Sequence, residues 1–196
     1  MNLEAYTGCY VPRDAGDVLR TERILHDRMG LPLPLVWQIL ETAEYWVRSV
    51  ASCGDLTVAA DNVAIRESLC CTASIPSGAK KYRPLRRIVF TIESRDQGWR
   101  TTTGDDSWTW FEADSKAAWR RAIVTNDPAS ADFCTHRIQW DTTASDDGFA
   151  VDAAELHEWM GRFARGDEIS VFARAQYRAG ANHARKVVVE LYCACV

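Results

Sequence analysis

The side chains best suited to form a site lie in one short loop. Arg95, Asp96, Gln97 and Trp99 bring a guanidinium, a carboxylate, an amide and an indole together within five positions. The guanidinium and the amide can donate hydrogen bonds, the carboxylate can accept them, and the indole can form an apolar wall for a polar ligand. The loop could equally be structural, with Asp96 capping a turn and Gly98 supplying a positive φ. The residues alone leave both interpretations open.

Residues elsewhere in the chain could converge on this loop. Further candidate ligand contacts are Trp108, Trp140, Asn182 and His183. If the protein is an enzyme, the candidate acid and base groups are Asp96, Glu112 and His136, because catalytic proton transfer uses carboxylates and imidazoles. His136 shares a strand face with apolar residues, so a buried core histidine is the alternative interpretation.

No motif for nucleotide binding, zinc-protease or serine-hydrolase chemistry occurs in the chain. The seven cysteines are Cys9, Cys53, Cys70, Cys71, Cys134, Cys193 and Cys195. Their odd number and the lack of a C-x-x-C pair favour buried, reduced thiols. A metal site built from Cys70, Cys71 and a histidine is the alternative. We therefore expect no cofactor and no metal.

Composition bounds the class of protein. The 196 residues carry a net charge of −4 that is spread along the chain, and we identify no basic run, so we expect neither nucleic acid nor a membrane as partner. No apolar stretch approaches the ~20 residues of a membrane span, and the start does not resemble a secretory signal. We expect a cytoplasmic, intracellular protein that binds a small-molecule ligand or a protein partner. Its oligomeric state stays open.

The stretch Arg87–Glu112 indicates the β core. Ile88, Phe90 and Ile92 fall on one face at period two, with Val89, Thr91 and Glu93 on the other, and S-W-T-W-F-E continues the alternation beyond the loop, which predicts two strands joined as a hairpin. Further strands are predicted at 56–60, 62–65, 118–124, 133–141, 168–177 and 186–195. A late helix is predicted over 152–163. Repeated short strands favour an antiparallel β-sandwich or jelly roll.

The N-terminal part predicts two helices. The first begins near Asp17 and ends at Gly30, and the second begins at Pro34 and carries an apolar stripe through Val47. We divide the chain into a helical segment, 1–50, and a β-sandwich domain, 51–196, which together form one compact unit. The stripe is broad, so we expect the helices to pack on the β region.

Two resemblances bear on these segments. The helix pair with L-P-L-P-L-V-W-Q-I-L resembles the opening of an F-box. The R-D-Q-G-W and W-T-W-F-E blocks, with the following strands to V-V-V-E-L-Y-C-A-C-V, resemble a family of uncharacterised fungal proteins. That resemblance covers about residues 83–196. It implies a galactose-binding-like β-sandwich and no particular reaction. The loop 178–182 lacks a tryptophan that the family pattern would place there.

Three functions compete. The first is a non-catalytic β-sandwich module that binds a sugar, a metabolite or a protein partner. The alternative is a small cofactor-free cyclase or isomerase of fungal secondary metabolism, which needs only an aromatic pocket and acid/base groups. The third is an F-box-type substrate adaptor, which rests on the helix pair alone.

Overall fold

Nine antiparallel strands form two packed sheets in the computed structural model, which describes residues 11–98, 107–142 and 150–196. The strands are β1 Val47–Cys53, β2 Leu56–Ala59, β3 Arg66–Ser74, β4 Leu85–Arg95, β5 Thr109–Asp114, β6 Arg121–Thr125, β7 Cys134–Asp141, β8 Glu168–Ala175 and β9 Ala181–Cys193. The helices are α1 Ala15–Arg23, extended by a π-helical turn Ile24–Arg28, α2 Leu33–Thr42 and α3 Ala150–Gly161.

The strand order is that of a jelly roll. Sheet A has the order β1-β9-β4-β7, and β2 also pairs with β9; sheet B has the order β3-β8-β5-β6. Because β1 and β2 pair with consecutive parts of β9, they behave as one interrupted strand. The sandwich therefore has two sheets of four strand positions, between which the chain passes repeatedly. The antiparallel β-sandwich predicted from the sequence is confirmed.

The core lies between the sheets. The alternating apolar residues of β4 and β9 are fully buried, and so are those of β8, each facing the opposite sheet. These residues are Ile88, Phe90, Ile92, Val187, Val189, Leu191, Ile169, Val171 and Ala173. Burying one of the larger side chains stabilises the fold by about 1.5–3 kcal/mol. The alternation of apolar residues in these three strands thus marks the faces that are buried.

An aromatic cluster fills one part of this core. Trp140 lies 4.7 Å from Phe90 and 5.4 Å from Trp159, and Trp159 lies 4.7 Å from Phe163, all between ring centroids in edge-on arrangements. The Trp159 indole donates a hydrogen bond to the carbonyl of Trp119, so its one polar atom is satisfied. The cluster packs α3 against the sandwich.

The predicted hairpin is wrong, because β4 lies in sheet A and β5 lies in sheet B. Thr109 and Phe111 of β5 are fully buried, whereas Trp110 and Glu112 face outward. Alternation fixes which residues share a face, but it carries no information about which sheet a strand joins. The long connection after β4 reaches the other sheet, about 10 Å away.

The region 43–74 also differs from the prediction. Helix α2 ends at Thr42, and the chain then forms β1, because Val47 pairs with Cys193 of β9. The strand predicted at 62–65 is an exposed irregular turn. The strand that follows it, β3, was not predicted. Pairing with strands far along the chain determines where these elements form, and local β propensity carries no information about such pairing.

The helix pair packs on the sandwich, as predicted. Val18 of α1 and Val36 and Leu40 of α2 form a small core with Val47 at the start of β1. Helix α1 begins earlier than predicted, since the Asp14 carboxylate caps it by accepting from the backbone N–H of Asp17 at 3.0 Å.

Ion pairs add to the contact between the helices and sheet A. Arg86 pairs with Glu41 at 2.5 Å, and Arg87 pairs with Glu44 at 2.6 Å and with Asp141 at 2.7 Å. These pairs join α2 and the turn after it to β4 and β7. None of the helices in the described ranges combines the length and the apolar character that crossing a bilayer requires.

Candidate functional site

Asp96 organises the end of the sandwich that follows β4. Its side chain is 1% exposed and accepts hydrogen bonds from the backbone N–H groups of Gln97 at 2.7 Å and Ala129 at 3.1 Å, and from the hydroxyl of Thr109 at 3.4 Å. Gly98 follows with a backbone φ of +86°, a value that residues other than glycine rarely adopt. This carboxylate thus holds three chain segments together, which is the structural role considered for it above.

Asn182 joins the two sheets. It belongs to β9 in sheet A, is fully buried, and donates to the backbone carbonyls of Trp110 and Arg174 in sheet B, both at 3.1 Å. Its carbonyl oxygen accepts from the amide of Asn126 at 3.0 Å. Asn126 in turn bonds Ser94 and Thr109 at 2.6 and 2.9 Å. A buried amide used in this way offers no free group to a ligand.

The remaining loop candidates lie at the rim of the same end. Arg95 is the cross-strand neighbour of His183, and the burial of His183, followed by the nearby guanidinium, lowers the pKa of this imidazole. The Gln97 side chain accepts from the backbone N–H of Ala181 at 3.5 Å. Trp108 packs against Tyr177 with ring centroids 5.2 Å apart. Trp99 lies outside the described residues.

The candidate acid and base groups point to different places. Glu112 faces outward from sheet B, where it pairs with Arg174 at 2.8 Å and accepts from the indole of Trp110 at 2.8 Å. His136 faces inward from β7, opposite Ile92, and its Nε2 atom is buried without a hydrogen-bond partner among the described residues. Asp96 is held in its own network.

Trp140, which was a candidate ligand contact, is 7% exposed and sits in the aromatic core. It therefore fills the sandwich and does not approach the loop after β4.

Burial disfavours the thiolate form of most of the described cysteines. The six cysteines in the described ranges are free, and burial raises the pKa of Cys71 and Cys193 to about 12 and that of Cys195 to about 11. Burial also raises the pKa of Cys70, with Cys53 close by. A thiol must ionise to attack or to bind a metal, so these values oppose both. No metal-binding group of three or more His, Cys, Asp or Glu side chains occurs in the described ranges.

A groove opens at the opposite end of β4. It has a volume of about 450 Å³ and lies between α2, the start of β4 with the loop before it, the end of β7 and the last turn of α3. We call it the α2 groove. Its principal lining side chains are Trp37, Glu41, Lys80, Arg83, Arg86 and His157. The volume is within the range of small-molecule sites.

Positive charge dominates the lining side chains of the α2 groove. Arg86 is held by Glu41 at 2.5 Å and by the carbonyl of Arg83 at 2.6 Å. Within the described residues, Lys80 and Arg83 have no carboxylate at ion-pair distance. Among the lining side chains, one carboxylate, that of Glu41, thus faces three cations, and Lys80 and Arg83 form no ion pair within the described residues.

The sequence prediction missed the α2 groove. A signal was present: K-K-Y-R-P-L-R-R, residues 80–87, has five basic residues in eight positions, although we identified no basic run in the chain. What the sequence lacked was the position of α2 and α3, which form the other walls. Both contact this segment only in the folded chain.

The class that these observations define is a jelly-roll domain with a helical pair at one side and a basic groove beneath it. No protein-family model matches the chain, and no curated protein matches it. Solved structures do resemble it.

One of these is the structure of the infectious bursal disease virus Gx strain, with 9% identity and a TM-score of 0.34; it covers 74% of this chain and 36% of the other. The chain therefore spans about a third of the length of that protein. A second is the structure of maize chlorotic mottle virus, with 10% identity, a TM-score of 0.24, and coverage of 74% and 91%. At these values neither likeness bears on the function.

Proposed function

We propose that the protein is a non-catalytic β-sandwich module that binds a small polar or aromatic ligand in the α2 groove. The observation that carries this proposal is the groove itself, in which Lys80, Arg83 and an indole, Trp37, meet in about 450 Å³. Small-molecule sites combine an apolar wall with a few polar groups in this way. An intracellular location fits the six free thiols of the described residues, since oxidising compartments favour disulfides.

A binding role is favoured over the cyclase or isomerase alternative by the placement of the candidate acid and base groups. Glu112 faces solvent, His136 faces the core, and Asp96 is saturated with hydrogen bonds. Acid and base groups act together only when both reach one substrate. The substrate-adaptor alternative draws on the exposed face of α2, where Leu35 and Ile39 are 43% and 38% exposed. Both alternatives stay predictions.

A blocked groove tests the proposal. Gly161 lines the groove, and a Cβ there would lie 3.6 Å from the guanidinium of Arg83, an ordinary contact. The larger side chain of Gly161→Leu should therefore fill the groove while the fold is retained. The matched control is Gly54→Leu, at a turn where a Cβ meets nothing within 4 Å.

The measurement is a fragment-library screen observed through the NMR signal of the Trp37 indole N–H, which Trp37→Phe would assign. We expect fragments that shift this signal in the wild-type protein and in Gly54→Leu, and that lose their effect in Gly161→Leu. A library that leaves the signal unchanged in the wild-type protein would overturn the proposal.

A further inference from the structure

The two unpaired cations of the α2 groove indicate what kind of ligand it takes. Arg86 is already neutralised by Glu41, and its guanidinium also donates to the carbonyl of Arg83. Arg83 and Lys80 have no such partner among the described residues, and both side chains are exposed. Surface cations without a partner are common, so the position of Arg83 decides whether this pair forms a site.

The position of Arg83 is fixed by its surroundings. Its backbone has φ +47°, an uncommon conformation for a residue other than glycine. Its carbonyl accepts from Arg86 at 2.6 Å, which holds the loop against β4. Its guanidinium lies against Gly161, the last residue of α3, where the free carbonyls at a helix end favour a positive charge. The backbone of Arg83 is thus tied to β4, and its guanidinium lies beside the C-terminal end of α3 at the groove wall.

An apolar wall is also fixed in place. The indole of Trp37 donates to the carboxylate of Glu22 in α1 at 2.6 Å, so the ring cannot turn freely, and 43% of the residue stays exposed. Leu85, which is 1% exposed, also lines the groove and belongs to the sandwich core. A flat apolar body could contact this wall while a charged group reaches the cations.

We infer that the α2 groove binds an anionic ligand, one with a carboxylate or phosphate group and a flat apolar body. Arg83 and Lys80 bind the anion, and Trp37 contacts the apolar body. An arginine guanidinium matches either anion with two parallel hydrogen bonds, so carboxylate and phosphate are both compatible with this site. The inference rests on the proposed binding function, since it names the ligand class for the same groove.

Matched probes test the charge requirement. The probes are 1-naphthoate, 1-naphthyl phosphate and the neutral 1-naphthamide, each titrated while the Trp37 indole signal is observed. We expect at least one anion to bind about 10-fold more tightly than the amide, the scale of one charge-assisted hydrogen bond at a partly exposed site. The tighter of the two anions assigns the ligand as carboxylate or phosphate. Raising the salt concentration should weaken anion binding and leave amide binding unchanged.

Two variants test whether Arg83 is the residue that causes the preference for the anionic probes. Arg83→Gln should abolish the preference for the anion. Arg178→Gln, which alters an exposed arginine in the loop between β8 and β9, should keep it. Thermal unfolding of both variants checks that the fold is retained.

The outcomes separate the inference from the proposed function. Equal binding of the amide and both anions would overturn the anionic class and leave the binding function standing. An anion preference that survives Arg83→Gln would overturn the assigned contact. If neither these probes nor the fragment library shifts the Trp37 signal, the binding function and the inference fall together.

Discussion

Asn182 connects the sheets through a single amide group. It lies at the start of β9 and reaches the backbone carbonyls of two strands of sheet B while its own oxygen accepts from Asn126. Asn182, Asn126 and Arg174 are buried, so water cannot readily replace the hydrogen bonds between them. Removing the amide would leave the donor of Asn126 without this acceptor in a site of low dielectric, where an unmade hydrogen bond is costly.

We therefore expect Asn182→Ala to lower the free energy of unfolding by about 2–4 kcal/mol, from the lost hydrogen bonds and the small cavity. The control is Asn62→Ala, an exposed asparagine whose side chain accepts one local backbone N–H at 2.8 Å; we expect a loss of about 0.5 kcal/mol there. Urea unfolding followed by tryptophan fluorescence measures both. Equal losses in the two variants would show that the amide does not hold the sheets together.

Single residues differ in how much the sequence reveals of them. Asp96 and Gly98 were predictable as a turn cap and a positive-φ position, because the groups that define both roles are mostly local. The role of Asn182 was not predictable, because its partners belong to β5 and β8 and approach only when the sheets pack. We named it as a ligand contact on its position in a loop, and it is instead the first pairing region of β9.

Helix α2 divides its apolar residues between two surroundings. Val36 and Leu40 face α1 and β1 and are buried, whereas Leu35 and Ile39, on another side of the helix, are exposed. The sequence predicted one continuous stripe through Val47. A stripe that wide exceeds what a single contact face can cover, since one face of a helix spans little more than a quarter of its circumference.

This division predicts different effects for neighbouring positions. Val36→Ala should lower the free energy of unfolding by about 2 kcal/mol, because it removes two methyl-sized groups from a fully buried site. Leu35→Ala, one residue away and 43% exposed, should change it by about 0.5 kcal/mol or less. Chemical denaturation of both variants is the measurement. A large loss in Leu35→Ala would mean that its side chain is covered in solution.

Elements with strong alternation were predictable, and those defined by distant pairing were not. β4, β7 and β8 follow the predicted positions within a few residues, because their apolar residues alternate over most of their length. β1 and β3 escaped prediction because their sequences, V-R-S-V-A-S-C and R-E-S-L-C-C-T-A-S, alternate weakly. Their positions depend on β9 and β8, which lie more than 90 residues later.

The α2 groove is the site most difficult to predict from sequence, because five separate segments form it, the last of them at Val196. Trp37 comes from α2, Arg83 from the loop before β4, Thr142 follows β7, and Gly161 ends α3. Only Arg83 lies in a noticeable local pattern, the basic stretch 80–87, and the residues around the other three contain no motif. These residues come together only because the strand order places their segments at the same end of sheet A, so the groove depends on the topology of the fold.

The same topology argues against a separable N-terminal unit. The region between α2 and β4 contains three strands, which are divided between the two sheets. β1 and β2 pair with β9 in sheet A, and β3 pairs with β8 in sheet B. A cut between β2 and β3 would leave β1 and β2 on one fragment and β9, their pairing partner in sheet A, on the other. The exposed turn 61–65 and the exposed stretch 80–83 are the places in this region most accessible to a protease, and only a cut at 61–65 separates β2 from β3.

Limited proteolysis therefore makes a definite prediction about the whole molecule. We expect a protease to cut first within 61–65 in this region, and the two fragments to stay together on size-exclusion chromatography. The N-terminal fragment carries β1 and β2, which pair with β9 of the other fragment, and the contacts of the helix pair add to this association. The nicked protein should unfold in one transition, at a lower temperature than the intact chain. A fragment from residue 66 onward that elutes alone and keeps its native fluorescence and circular dichroism would contradict this, because it would fold without β1, β2 and the helices.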